Sequence, residues 1–240
     1  MSQVTQERAA ALNMSLDQLE VLEHLGTYRV TTSEAVGQIL KATPEAVKSF
    51  LQRLRAGGYI DSADMFGRTK YHFLTDAGLR VVGLPEKKKG SLNPNPLAEA
   101  FGMLRFCSAD PSSRLKLRTR EFRDRFPALA PKGMRCSNYY YDSHDEPGRI
   151  GFIYVDRGIS VSKVVGKTRH MIIGPRFEHP EWRSSVLDRH LFAIGIATPT
   201  PEKAEQIRGI VTQDWPHIAF RFEVVPELLL IRDRRRNAAR

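Results

Sequence analysis

The 240-residue chain lacks the features that would place it in several large classes. Its two cysteines, Cys107 and Cys136, have no CxxC spacing. Neither a disulfide framework nor a cysteine zinc site follows, and both read as free thiols of a reducing compartment. No run approaches the ~18 apolar residues of a membrane-spanning helix, and residues 1–11 are polar and mixed in charge, unlike a secretion signal. These absences predict a cytoplasmic protein. His24, His72, His144, His170, His179, His190 and His217 include no H-x-H or H-x-x-x-H pair, so no histidine metal cluster and no clustered-histidine relaxase site is expected. With no GxxxxGK[ST] loop, ATP hydrolysis is unsupported. Cofactors and metals are both expected to be none.

Acid is the scarcer charge. Lysine and arginine number 37 against 27 aspartates and glutamates, a formal charge of +10 and a pI near 9.8. Such a surplus favours an anionic partner, nucleic acid first and an acidic membrane surface second. Residues 1–90 hold 12 basic against 10 acidic side chains and the remainder 25 against 17, so the excess sits mainly in the second part. The stretch PEKKKGSLNPNP (85–96) reads as a break, because its glycine and prolines interrupt helix and strand alike. The expected organisation is a module over 14–86, a linker over 87–96, a second domain over 97–231 and a disordered basic tail over 232–240. That tail would add salt-sensitive affinity of no sequence preference.

Within the first module, Ser15 followed by Gln18 forms a capping-box pattern, and Leu16, Leu19 and Leu22 recur at helical spacing. A second helix is expected after Thr31 or Thr32, burying Val36, Ile39 and Leu40. The third has Thr43 as N-cap, Pro44 at N1 and a stop at Gly57-Gly58. Its core stripe is Val47, Phe50, Leu51 and Leu54. Lys48, Gln52 and Arg55 recur on another face, with Ser49 and Arg53 beside them. These side chains can donate to phosphates and to base edges in the major groove. Tyr59-Ile60-Asp61 and residues 71–74 then read as a hairpin with Gly67 at its tip, where Arg68 and Lys70 can grip the DNA backbone. Thr75 caps a fourth helix in LTDAGL. This order of elements, over about 70 residues, resembles the winged helix-turn-helix superfamily. The resemblance implies duplex DNA binding, with a homodimer on two half-sites as the default.

In the second part, residues 97–107 read as a helix. The alternation Arg114-Leu115-Lys116-Leu117-Arg118 suits a strand with a cationic outer face. With Arg120, these cations form a candidate second DNA contact; a salt-linked solvated face is the competing reading. Residues 149–155, 191–197 and 218–225 read as strands, and Thr200 caps a helix over 201–211. Strand, helix, strand implies an α/β layer. A winged helix followed by a strand ending VDRG and by FAIGIATPTPEKAEQIR resembles the replication–relaxation family of plasmids and mobile elements. That resemblance implies a role in plasmid replication, mobilisation or its transcriptional control, with replication or mobilisation proteins as further partners. It also implies a second domain with a degenerate restriction-endonuclease-like fold.

A metal-dependent nuclease of that fold needs an acid, then an acid and a lysine two residues apart on the next strand. Asp142, Asp145, Glu146 and Asp156 are candidate acids, with Lys163 and Lys167 downstream. The spacing is incomplete, since Tyr154 stands where the second acid is needed. Asp156 is expected to pair with an arginine or cap a turn. Tyr139-Tyr140-Tyr141 could supply a nucleophile but reads better as an aromatic strand. The fold expected is thus α+β, a winged helix-turn-helix followed by an α/β domain, with no catalytic residues. The function expected is sequence-specific duplex binding in transcription, replication or mobilisation. A DNA nuclease and a protein-interaction adaptor are the alternatives.

Overall fold

A computed structural model describes the backbone of residues 3–85, 90–130, 136–173 and 179–238. The chain divides into two compact units, Met1–Phe101 and Gly102–Arg240.

The first unit opens with α1 (Gln3–Ala11), α2 (Leu16–Tyr28), α3 (Ser33–Leu40) and α4 (Pro44–Ala56). Each start after α1 is fixed by a side-chain cap. Ser15 and Gln18 complete a capping box on α2, Thr32 accepts from the Ala35 amide, and Thr43 from the Ala46 amide with Pro44 behind it. A hairpin follows, β1 (Ile60–Phe66) against β2 (Thr69–Leu74), then α5 (Asp76–Val81) capped by Thr75. Gly67 closes the hairpin turn in the left-handed region, φ 51°. Thr31 pairs with His72, so the segment before α3 joins the edge of the hairpin. The core is one cluster: Val21, Leu22 and Leu25 of α2, Val36 of α3, Val47, Phe50, Leu51 and Leu54 of α4, Ile60 and Leu74 of the strands, and Leu79. This is the arrangement of a winged helix-turn-helix, preceded by a helix, α1, that the sequence pattern does not announce.

The division between the units falls inside α6 (Pro94–Ser108), beyond the expected linker. Residues 87–89 of that linker lie outside the described residues. Pro94 and Pro96 stand in the first turn of α6, where the missing amide has no helical acceptor to lose. Proline here begins a helix and does not break one.

The second unit is built on a five-stranded sheet in sequential order: β3 (Arg114–Lys116), β4 (Tyr139–Asp142), β5 (Arg149–Val155), β6 (Phe192–Thr198) and β7 (Ala219–Val224). β4 runs antiparallel to both neighbours, whereas β5, β6 and β7 are parallel. Between β3 and β4 lies α7 (Thr119–Arg125). The crossover from β5 to β6 carries α8 (Val161–Ile173) and α9 (Pro180–Trp182), and α10 (Pro201–Asp214) joins β6 to β7. On one sheet face, Phe152, Phe192, Ile194 and Ile196 pack with Val164 of α8, Ile207 and Val211 of α10, and Trp182. On the other, α6 approaches closely: a Cβ on Gly195 would stand 2.3 Å from the Phe106 ring. Both faces are covered, which is why β5 and β6 read as nearly continuous apolar runs. α11 (Glu227–Ala238) ends the chain and is anchored by buried Leu228 and Ile231. Residues 232–238, expected as a disordered tail, continue that helix; 239–240 lie outside the described residues.

Candidate nucleic-acid interface

The exposed and buried faces of α4 separate cleanly. Val47, Phe50, Leu51 and Leu54 are buried, and Lys48, Ser49, Gln52, Arg53 and Arg55 are exposed. No acid interrupts the exposed group, because Glu45 lies in the first turn, where it complements the helix dipole. The Arg53 guanidinium sits 5.8 Å from the Phe50 ring centroid. Arg55 is committed differently from the other four. It donates to the Ser62 hydroxyl of β1 at 2.6 Å, tying the end of α4 to the hairpin. Lys48, Ser49, Gln52 and Arg53 therefore remain the side chains available to a ligand, with Arg55 fixing the wing beside them.

Arg68 and Lys70 are exposed at the hairpin tip. Asp64 lies opposite Lys70 in the strand register, and a bulge between Asp64 and Phe66 turns Met65 into the interior. His72, on β2, is buried, with Nε2 3.5 Å from the Ser33 hydroxyl and Nδ1 enclosed. Burial lowers its pKa to about 4, and the nearby positive charges of Arg55 and Lys70 add to the effect. His72 is thus a neutral ring at neutral pH.

The second DNA contact expected at Arg114, Lys116, Arg118 and Arg120 is corrected by the orientation of β3. The alternation is real, but its phase is reversed: Leu115 is 55% exposed and Lys116 is 4% exposed. The Lys116 ammonium turns inward and donates to the Leu117 carbonyl at 2.9 Å and to the Ser137 carbonyl. Arg114 stacks on Phe106 at 4.4 Å and pairs with Glu223 at 3.2 Å. Arg118 and Glu121 close the N-terminus of α7 on each other. Arg120 is exposed and sits 3.5 Å from Asp124 one turn on. Three of these four cations are therefore used inside the unit, and period-two alternation alone does not say which face turns out.

The candidate nuclease acids do not converge either. Asp142 is 1% exposed and accepts from Arg221 at 3.0 Å and from the His144 amide at 3.1 Å. Asp145 accepts from Arg221 at 2.7 Å and from Arg149, and the Arg221 hydrogen bond holds its carboxyl below the usual range. Asp156 lies at the opposite end of β5. Asp142 pairs with Arg149 at the start of that strand, and Asp156 follows Val155 at its end. Six strand steps separate them by about 20 Å, far beyond what one cation could bridge. Asp156, fully buried, accepts from the Gly158 and Ile159 amides at 2.9 and 3.1 Å, from Thr198 at 3.2 Å and from Lys203 at 2.5 Å. It caps a turn, as expected, but its charge partner is a lysine and not an arginine. Lys163 and Lys167 are on α8, not on a strand. Glu146 is exposed.

No family model matches this chain, and no curated protein does. Among solved structures, a MepR mutant of S. aureus bound to an oligodeoxyribonucleotide is 16% identical, covering 53% of this chain and 83% of its own, with a TM-score of 0.30. The oxidized form of MarR from E. coli is 15% identical over 53% and 81%, again with a TM-score of 0.30. A MepR-like protein complexed with pseudoligands is 16% identical over 52% and 78%, with the same TM-score. At these values the likeness carries no argument, and the functional reading rests on the geometry above.

Proposed function

We propose that this chain is a duplex-DNA-binding regulator that reads sequence through α4 and steadies itself on the backbone with the β1–β2 wing. The observation that carries this reading is the exposed face of α4 from Lys48 to Arg55, which carries no acid; Glu45 stands one turn before it. Lys48, Ser49, Gln52 and Arg53 project from a helix whose opposite stripe is locked into the core and whose start is fixed by Thr43 and Pro44. Gln can pair bidentately with adenine and Arg with guanine, and each such pair discriminates by about 1–3 kcal/mol. Lys48, Arg68 and Lys70 supply phosphate contacts that position without reading. A homodimer placing two copies of α4 on two half-sites extends the reading.

The finer role we propose is in the replication, mobilisation or transcriptional control of a plasmid or other mobile element, following the replication–relaxation resemblance. The second unit is then a nuclease-type α/β fold that no longer cuts. Supporting this are the sequential sheet with its second strand reversed, flanked by helices, and a β5 strand (RIGFIYV) that carries no acid. The test compares the full chain with the double variant Lys48→Ala, Arg53→Ala on a duplex that the native protein retains. About a 100-fold weaker binding is expected, from 1–3 kcal/mol per contact, with circular dichroism unchanged. Equal affinity of the two proteins would refute the assignment of α4.

A further inference from the structure

We infer that α8 of the second unit is a separate polyphosphate-binding surface that grips the DNA backbone without reading sequence. The inference rests on the duplex-binding reading above but uses none of its residues. Of the described α-helices, α8 alone contains no aspartate or glutamate. Val164, Thr168 and Ile172 are buried. Ser162, Lys163, Gly166, Lys167, Arg169 and His170 are exposed. At 100° per residue these six occupy an arc of about 160°, a face that is polar, basic and free of acid.

What separates this face from most of its unit is how its charges are spent. Many helical and strand cations elsewhere in the unit have acids: Arg118 has Glu121, Arg120 has Asp124, Arg149 has Asp145, Lys203 has Asp156, Arg208 has Glu205 and Arg221 has Asp142. Lys116 is held by two carbonyls, and Arg125 lies over the Tyr141 ring. Lys163, Lys167 and Arg169 make no ion pair with any described residue, although α10, which carries Glu202, Glu205 and Asp214, packs beside α8. Unpaired cations held on a rigid helix repel one another, and a polyanion relieves that repulsion. Lys163 and Lys167 are one turn apart, about 6 Å along the axis, a spacing that two successive phosphates of one strand can match. The lysines act as point charges on phosphate oxygens, and the Arg169 fork can take a phosphate bidentately. With Gly166 between them, the backbone of α8 can come close to the duplex. No base-reading geometry is implied.

The experiment is the salt dependence of binding to a duplex of arbitrary sequence, measured with the full chain and with Lys163→Ala, Lys167→Ala, Arg169→Ala combined. Removing one cation from a phosphate lowers the slope of log K against log salt by about 0.9. The triple variant should therefore lower the slope by about 2 to 3 and bind at least about tenfold more weakly at low salt. Arg120→Ala, which removes a cation already paired with Asp124, should leave the slope unchanged. Exchanging the three for Arg, Arg and Lys should keep it, showing that charge and not helix packing is responsible. A native protein that binds, with the triple variant on the same slope, would overturn the α8 assignment alone. A native protein that binds no duplex even at low salt would overturn both readings.

Discussion

Replacing Asp156 by Asn separates a structural carboxylate from a catalytic one. Asp156 is fully buried, and its two oxygens are divided between two jobs. Oδ1 accepts from the Gly158 and Ile159 amides, and Oδ2 accepts from Thr198 and Lys203. Asn keeps the first job but turns an amide donor, or an uncharged acceptor, toward the Lys203 ammonium. Breaking a buried pair on one side costs roughly 3–5 kcal/mol. The Lys203 side chain is 16% exposed and can regain some water, so the cost falls just below that range, about 2–3 kcal/mol. With a denaturant slope near 2 kcal/mol per molar urea, the midpoint of the second unit should fall by about 1 M. The assay is urea unfolding of the full chain followed by Trp fluorescence, since Trp182 and Trp215 both lie in that unit. Millimolar Mg²⁺ should move neither the native nor the variant midpoint. A variant within about 0.5 kcal/mol of native, the usual effect of a neutral surface change, would refute the structural role. Stabilisation of the native protein by Mg²⁺ that the variant lacks would reopen the nuclease reading.

Two further outcomes concern the winged-helix unit. His72 has a folded pKa of about 4 against an ordinary value of 6.5, so the unfolded chain takes up the proton first. The contribution of His72 to stability should be constant above pH 6.5 and fall progressively between 6.5 and 4, by up to about 3 kcal/mol. Burial lowers His24 of α2 to about 4 as well and adds a like fall, so His72→Gln should remove about half of the loss in thermal melts across this range, and an unchanged profile would remove His72 as a cause. In Gly78→Ala, the new Cβ would stand 2.2 Å from the Tyr59 carbonyl oxygen, a backbone atom that cannot rotate away, so α5 must shift at a cost of about 1–3 kcal/mol or more; a melting temperature within a degree of native would contradict the packing.

Local chemistry was legible in the sequence, and phase and tertiary anchoring were not. Ser15, Thr32, Thr43, Thr75 and Thr200 all cap helices, because a cap is decided within four residues. Strand β5 spans residues 149–155 as expected, since burial on both faces leaves an unbroken apolar run. α8 was missed because its valines and glycine weaken helix propensity and its one apolar stripe is visible only against α10. β3 shows the opposite limit: the period was right, yet Lys116 turned inward because two carbonyls await its ammonium and a three-residue edge strand can leave Leu115 in water. Arg55 looked like its neighbours on α4, and only the hairpin supplied the Ser62 partner that distinguishes it. For the C-terminal segment, charge composition suggested disorder, whereas Leu228 and Ile231 anchor a helix that carries the arginines with it.

The most direct test of the central claim is selection of the full chain on random duplexes at about 150 mM salt, where long-range phosphate attraction is screened. The expected result is a recovered motif, present as two half-sites related by symmetry, that Gln52→Ala relaxes at one base step while leaving the others intact. Retention of duplexes with no common motif by the native protein would contradict a sequence reader built on α4.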